Sequence, residues 1–105
     1  VRRAAKVDTN QSQVVRELRQ IPGVSVFPTH MVGGGFPDLV VGWRGVTILV
    51  ELKDPDRPPS ARKLTPDEQA FCDSWTGAYM IATSAEEIYG CLALQAGSPK
   101  ERLWG

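Results

Sequence analysis

Asp38-Leu39-Val40-Val41-Gly42-Trp43-Arg44-Gly45-Val46-Thr47-Ile48-Leu49-Val50-Glu51-Leu52-Lys53 is the stretch on which the fold turns. Asp38–Val41 and Val46–Lys53 are rich in β-branched and aliphatic residues, and the Gly42–Gly45 segment between them carries turn residues, so the stretch reads as a β-hairpin. Residues that face each other across a symmetric hairpin have position numbers with a constant sum. A turn centred between Arg44 and Gly45 therefore sets Asp38 against Glu51, with Cβ atoms about 5 Å apart. Side chains alternate along a strand, so Glu51 and Lys53 share one face while Ile48, Val50 and Leu52 enter an apolar layer on the other. Two carboxylates and an ammonium thus converge at the open end of the hairpin.

Upstream, Asp8-Thr9-Asn10 offers helix N-cap candidates, and Val14, Val15, Leu18 and Ile21 recur with the spacing of an amphipathic helix that Pro22-Gly23 stops. Val24–Phe27 reads as a first strand, and His30–Phe36, with three consecutive glycines, as a mobile loop. Downstream, the Pro-rich, charged run Asp54–Lys63 is expected to be a loop. Thr65-Pro66-Asp67-Glu68 is a capping box with proline at the first helical position. It opens a helix whose apolar stripe is Phe71, Cys72 and Trp75, ended by Gly77. Ala78–Ala82 looks like a strand, and Ser84-Ala85-Glu86-Glu87 caps a last helix with Ile88, Cys91 and Leu92 inward. The tail Gly97–Gly105 reads as irregular. The order α-β-β-β-α-β-α, without repeat or linker, predicts an α/β fold, a sheet with helices on its faces, in one domain spanning residues 1–105.

Composition narrows the classes of function. No apolar run is long enough to cross a bilayer, and the basic start Val1–Lys6 is not followed by a signal-peptide core, so a cytoplasmic protein without a membrane role is expected. Cys72 and Cys91 lack metal-ligand spacing and are expected to be buried free thiols. The net charge of zero hides a division: residues 1–63 hold ten Lys/Arg against six acids, a net +4, which leaves −4 for the remainder. That asymmetry permits one face to meet a polyanion.

Opposed carboxylates destabilise a hairpin unless something neutralises them, and Lys53 alone is a partial remedy for Asp38 and Glu51. A divalent cation would do better. Hard oxygen ligands with no His or Cys cluster nearby suit Mg²⁺ or Mn²⁺ rather than zinc, and no organic cofactor is called for. A cation with open positions beside a lysine is equipment for hydrolysing a phosphodiester. The joint register of the three residues carries this reading, since a Pro-Asp pair or a Glu-x-Lys alone is common by chance. Arg57, Arg62 and Lys63 lie in the following loop as candidate phosphate holders, and Gly33-Gly34-Gly35 as a place for close backbone approach. His30 is expected to be a surface residue rather than a base. Trp43 at the hairpin tip and Trp104 in the tail read equally as packing residues or interface anchors.

Gly35-Phe36-Pro37-Asp38-Leu39-Val40-Val41-Gly42, Glu51-Leu52-Lys53, Leu64-Thr65-Pro66 and Gln69 together resemble the VRR-Nuc family of the PD-(D/E)XK nuclease superfamily, over about residues 8–95. The resemblance implies a restriction-endonuclease-like mixed sheet flanked by helices. It implies that Asp38, Glu51 and the backbone carbonyl of Leu52 ligate Mg²⁺ or Mn²⁺, that Lys53 is the catalytic lysine and that Gln69 stands near the pocket. It further implies a phage-type homodimer in a bacterial or phage-infected cell, cutting branched DNA such as Holliday junctions. One position departs from the family. Where an acidic residue of the first helix commonly completes the metal site, this chain has Gln11, which projects near the centre of the apolar face, while Glu17, an alternative acid on the same helix, projects about 90° away from it and is not the expected ligand. Two other readings stay open: a non-catalytic DNA-binding or assembly module, suggested by Gln11 and the zero net charge, and a duplex-cutting restriction-type enzyme.

Overall fold

Between residues 10 and 96, which the computed structural model describes, the chain forms α1 (Gln11–Arg19), β1 (Ser25–Pro28), β2 (Leu39–Trp43), β3 (Val46–Leu52), α2 (Pro66–Ser74), β4 (Tyr79–Ala82) and α3 (Ala85–Ala96). Asp8, Thr9, Trp104 and the tail from Gly97 lie outside the described residues. The element order is the expected one. A short 3-10 helix, Pro59–Arg62, interrupts the stretch expected to be loop. β1 begins one residue late, and Gly42 and Trp43 belong to β2, because the connection needs only Arg44 and Gly45. Both have positive φ (50° and 83°), the backbone of the two-residue turn that matches the right-handed twist of the strands it joins.

The strands lie in the order β1-β2-β3-β4. β1, β2 and β3 form an antiparallel meander, with Val26↔Val41↔Ile48 in register, and β4 pairs with β3 in parallel, Leu52 beside Ala82. The sheet is therefore mixed, open and flanked by helices. A parallel neighbour needs a crossover connection, and α2 lies within it.

Alternation sends Val26, Leu39, Val41, Ile48, Val50, Leu52 and Ala82 to one face, where Val14, Val15 and Leu18 of α1 and Ala85, Ile88 and Leu92 of α3 close over them as the core. Full burial of each leucine or isoleucine there contributes about 1.5–3 kcal/mol. Trp43 packs against this core rather than standing free at the tip: its Nε1 donates to Pro22 O (3.2 Å), its ring meets Tyr89 edge-on, and the Arg44 guanidinium lies over it. Cys72 and Cys91 are free, as expected, but only half-buried. Asn10 makes no side-chain cap; its amide donates instead to Thr83 O (3.0 Å) and Lys53 O (3.3 Å), tying the start of α1 to the ends of β3 and β4. No helix among the described residues is long and apolar enough to cross a membrane.

Candidate functional site

At the end of β3, where β2 has not yet begun, the sheet leaves main-chain groups without a neighbouring strand. The regular pairing of the hairpin holds as far as Leu39↔Val50 and breaks at Asp38. The Asp38 amide donates to Val50 O (2.9 Å), so Asp38 and Leu39 both face Val50, as at a β-bulge. Asp38 is thus not the simple cross-strand partner of Glu51 that constant-sum pairing predicts. Its carboxylate takes the place of the absent strand instead, Oδ2 accepting from the Leu52 amide at 2.8 Å. Residues alternate in the direction of both their N–H and C=O groups, so the Leu52 carbonyl faces the same side as its amide, toward Asp38 and away from β4.

Glu51 projects from the face opposite the core and is nonetheless 3% exposed. Its Oε2 stands 3.6 Å from Lys53 Nζ, and its Oε1 is buried without a hydrogen-bond partner. Burial pushes its pKa up to about 9, with the charge of Asp38 adding to the rise and Lys53 offsetting only part of it. Burial likewise raises Asp38, against the opposing pull of the Leu52 amide. One lysine, shared with Glu68, does not offset the burial of two acids, so Glu51 is the group that keeps its proton most strongly.

Lys53 has a second partner that sequence reasoning did not single out as a site residue. Glu68 Oε1 lies 3.0 Å from Nζ, and the same oxygen accepts from the Thr65 amide (2.9 Å) while the Glu68 amide donates to Thr65 Oγ1 (3.2 Å). The capping box forms as expected, but its glutamate does two tasks. It closes the first turn of α2 and holds the lysine. Burial works to raise the Glu68 pKa, yet the Thr65 amide and Lys53 outweigh it and leave the group below the ordinary value. Three contacts set α2 at this distance. Phe71 packs edge-on against Phe36 and tilted against Tyr79, and Gly35, with φ 86°, lies so close to the Asp67 main chain that a Cβ there would collide with it. Of the three glycines expected to allow close backbone approach, Gly35 meets the protein's own helix, while Gly33 and Gly34 stand in open space. Tyr79 completes the wall: its hydroxyl is buried without a partner, and burial, then the nearby Glu51 charge, pushes its pKa up.

The structure therefore brings Asp38, Glu51, Lys53 and the Leu52 main chain together. Gln69 is not with them; it is exposed and donates to Asp73 Oδ1 (2.8 Å), because α2 turns Glu68 inward. Gln11 is 5% exposed, its Nε2 2.9 Å from His30 Nδ1, while Glu17 is exposed and accepts from Gln13. The inward residue of α1 is the amide, as its projection predicts, and His30 is its partner rather than an isolated surface side chain. Arg57 and Lys63 are exposed; Arg62 is half-buried, with its Nε buried and unpartnered.

Among the described residues no three His, Cys, Asp or Glu side chains form a metal-holding group. Glu68 Oε1 is taken up by Lys53 and Thr65, so the carboxylates of Asp38 and Glu51 would be the charged ligands of a cation here. The orphaned Oε1 of Glu51 fits that use: a buried, unsatisfied carboxylate oxygen beside a second carboxylate is what a hard divalent ion, Mg²⁺ or Mn²⁺, would satisfy. Compared with known proteins, the chain matches no family model, no curated protein and no solved structure.

Proposed function

We propose that the protein is a divalent-metal-dependent nuclease whose reaction centre is Asp38, Glu51 and Lys53. The observation that carries the reading is Glu51, a buried carboxylate with an unsatisfied oxygen, set beside a second acid and a lysine at the open end of the sheet. Asp38 and Glu51, with the Leu52 carbonyl, would hold Mg²⁺ or Mn²⁺. When bound, the cation supplies a water of lowered pKa and a positive charge for a phosphate oxygen. Asp38 is held in place by the Leu52 amide, so it meets its ligand without reorganisation. Lys53, steadied by Glu68, presents its ammonium beside Glu51, where it orients the attacking water or stabilises the charge that develops on the phosphorus oxygens. DNA is the proposed polymer, branched DNA the preferred form and a homodimer the proposed assembly; these three rest on the resemblance to the VRR-Nuc family.

Incubation of the full chain with labelled four-way junction, duplex and single-stranded DNA, with Mg²⁺, Mn²⁺ or EDTA, tests the proposal. Cleavage is expected with either metal and none with EDTA. Lys53→Ala and Asp38→Ala should each lower the rate by about 10²–10³ or more, the scale for loss of one group that stabilises charge in a transition state. Cleavage that survives both substitutions in folded protein would place the chemistry elsewhere. Binding without any cleavage would make the chain a DNA-binding module, and equal cutting of duplex and junction would remove the branched-DNA preference.

A further inference from the structure

A groove of about 550 Å³ runs along the flank of α1, with Gln11, Arg16 and Arg19 on one wall and Pro28 and His30 on the other. Ser12, Arg16 and Arg19 recur at i, i+4 and i+7, so they form one polar stripe beside the buried Val15 and Leu18. Both arginines are exposed, and among the described residues neither makes an ion pair and no acidic side chain lines the groove. The other flank of α1 is opposite in character: Glu17, Asp54 and Asp56 line a smaller hollow there. An extended polyanion beside this helix is therefore drawn to one flank and repelled from the other.

The His30 end of the groove is tied through the chain to the reaction centre: Thr29, next to His30, donates its amide to the Asp38 carbonyl (2.7 Å). Gln11 itself is 5% exposed and has one amide atom, Oε1, buried without a partner after Nε2 has met His30. An acceptor such as a phosphate oxygen would turn the amide by half a rotation, so that Oε1 takes a proton from His30 Nδ1 and the amino group faces the ligand. One amide atom is left for a ligand in either orientation.

We infer that this groove takes the sugar–phosphate backbone of the nucleic-acid strand that runs into the carboxylate site, with Arg16 and Arg19 each on a phosphate and the Gln11–His30 pair at the entrance. The inference rests on the nuclease reading. Its test is binding rather than cleavage: anisotropy of labelled junction and duplex DNA with the full chain in EDTA, across a salt series. The Arg16→Gln/Arg19→Gln double variant keeps good helix formers on an exposed face, so folding is expected to be unaffected. It should weaken binding by about tenfold and lower the slope of log affinity against log salt by about 2, one for each phosphate that no longer meets an arginine. Arg44→Gln, at the turn end of the hairpin, should leave the slope unchanged. An unchanged slope in the double variant, while the parent binds, overturns the inference and leaves the nuclease reading standing. If the parent binds no nucleic acid in EDTA yet cleaves it with Mn²⁺, the inference falls alone; if it neither binds nor cleaves, both fall. If inorganic phosphate raises the melting temperature through Arg16 and Arg19 while the DNA slope is unmoved, the groove is a small-anion site and the inference is overturned.

Discussion

Along β3, Ile48, Val50 and Leu52 are sealed beneath α1 and α3, whereas Thr47, Leu49 and Glu51 point to the other side of the sheet. That second face is only partly covered. α2 stands beside it through Phe71 and Glu68, while Phe27 on β1 and Ile81 on β4 remain 68% and 47% exposed. The closed face is apolar and satisfied. The open face buries a carboxylate with an orphaned oxygen beside a tyrosine hydroxyl that also lacks a partner. The contrast separates two duties within seven residues of one strand: one set of alternate side chains holds the fold, and the other holds charge that the fold alone would be better without.

The largest expected effect lies on the closed face. Leu39→Ala, at a fully buried position, should destabilise the protein by about 2–5 kcal/mol in urea titration, a large part of the stability of a small domain. A loss under 1 kcal/mol would mean that this face is not the packed one.

On the open face the sign should reverse. With a folded-state pKa of about 9 against an ordinary 4.5, Glu51 contributes stability that is fully present below the ordinary value and lost as pH rises through the folded one. The melting temperature of metal-free protein should therefore fall between pH 5 and pH 9 and recover on adding Mn²⁺. Glu51→Gln should raise the metal-free melting temperature at pH 8 by about 4–8 °C, equivalent to about 1 kcal/mol in a domain of this size, and abolish the Mn²⁺ effect. A lower melting temperature in the variant would show that ionised Glu51 stabilises the fold, contrary to this account.

A comparable effect is expected at the N-cap of α2. Thr65→Ala removes the capping hydroxyl and should cost about 1 kcal/mol, while loosening Glu68 and with it Lys53. Its cleavage rate should fall further than its stability implies, and a rate that simply tracks the folded fraction would deny Glu68 a part in positioning Lys53. The smallest change belongs to Phe27→Ser, which should alter stability by no more than about 0.5 kcal/mol because its ring packs little. A larger loss on denaturant titration would show that the ring is covered in solution.

Much of this was written locally. Turn chemistry at Arg44-Gly45 sets the hairpin register, alternation sets which residues of β3 face the core, and the Thr65–Glu68 box starts α2 where it should. These depend on neighbours in the chain, so they are legible from it. Asp38, Glu51 and Lys53 were found by register, although the bulge at Asp38, which substitutes a side chain for a missing strand, has no local signature. Glu68 carried a signal in the capping box, but only as a cap. That the box docks beside Lys53 depends on Phe71 meeting Phe36 and Tyr79, contacts made between segments far apart in sequence.

The sequence by itself determined the order of elements, the two faces of the sheet and the convergence of Asp38, Glu51 and Lys53 at one end of it, because periodicity, turn geometry and capping act over a few residues. Only the tertiary structure decided that Glu68 rather than Gln69 meets the lysine, that Gln11 is buried against His30, and that β4 lies parallel to β3. Those outcomes rest on how helices rotate and dock, and the docking is set by packing between distant segments.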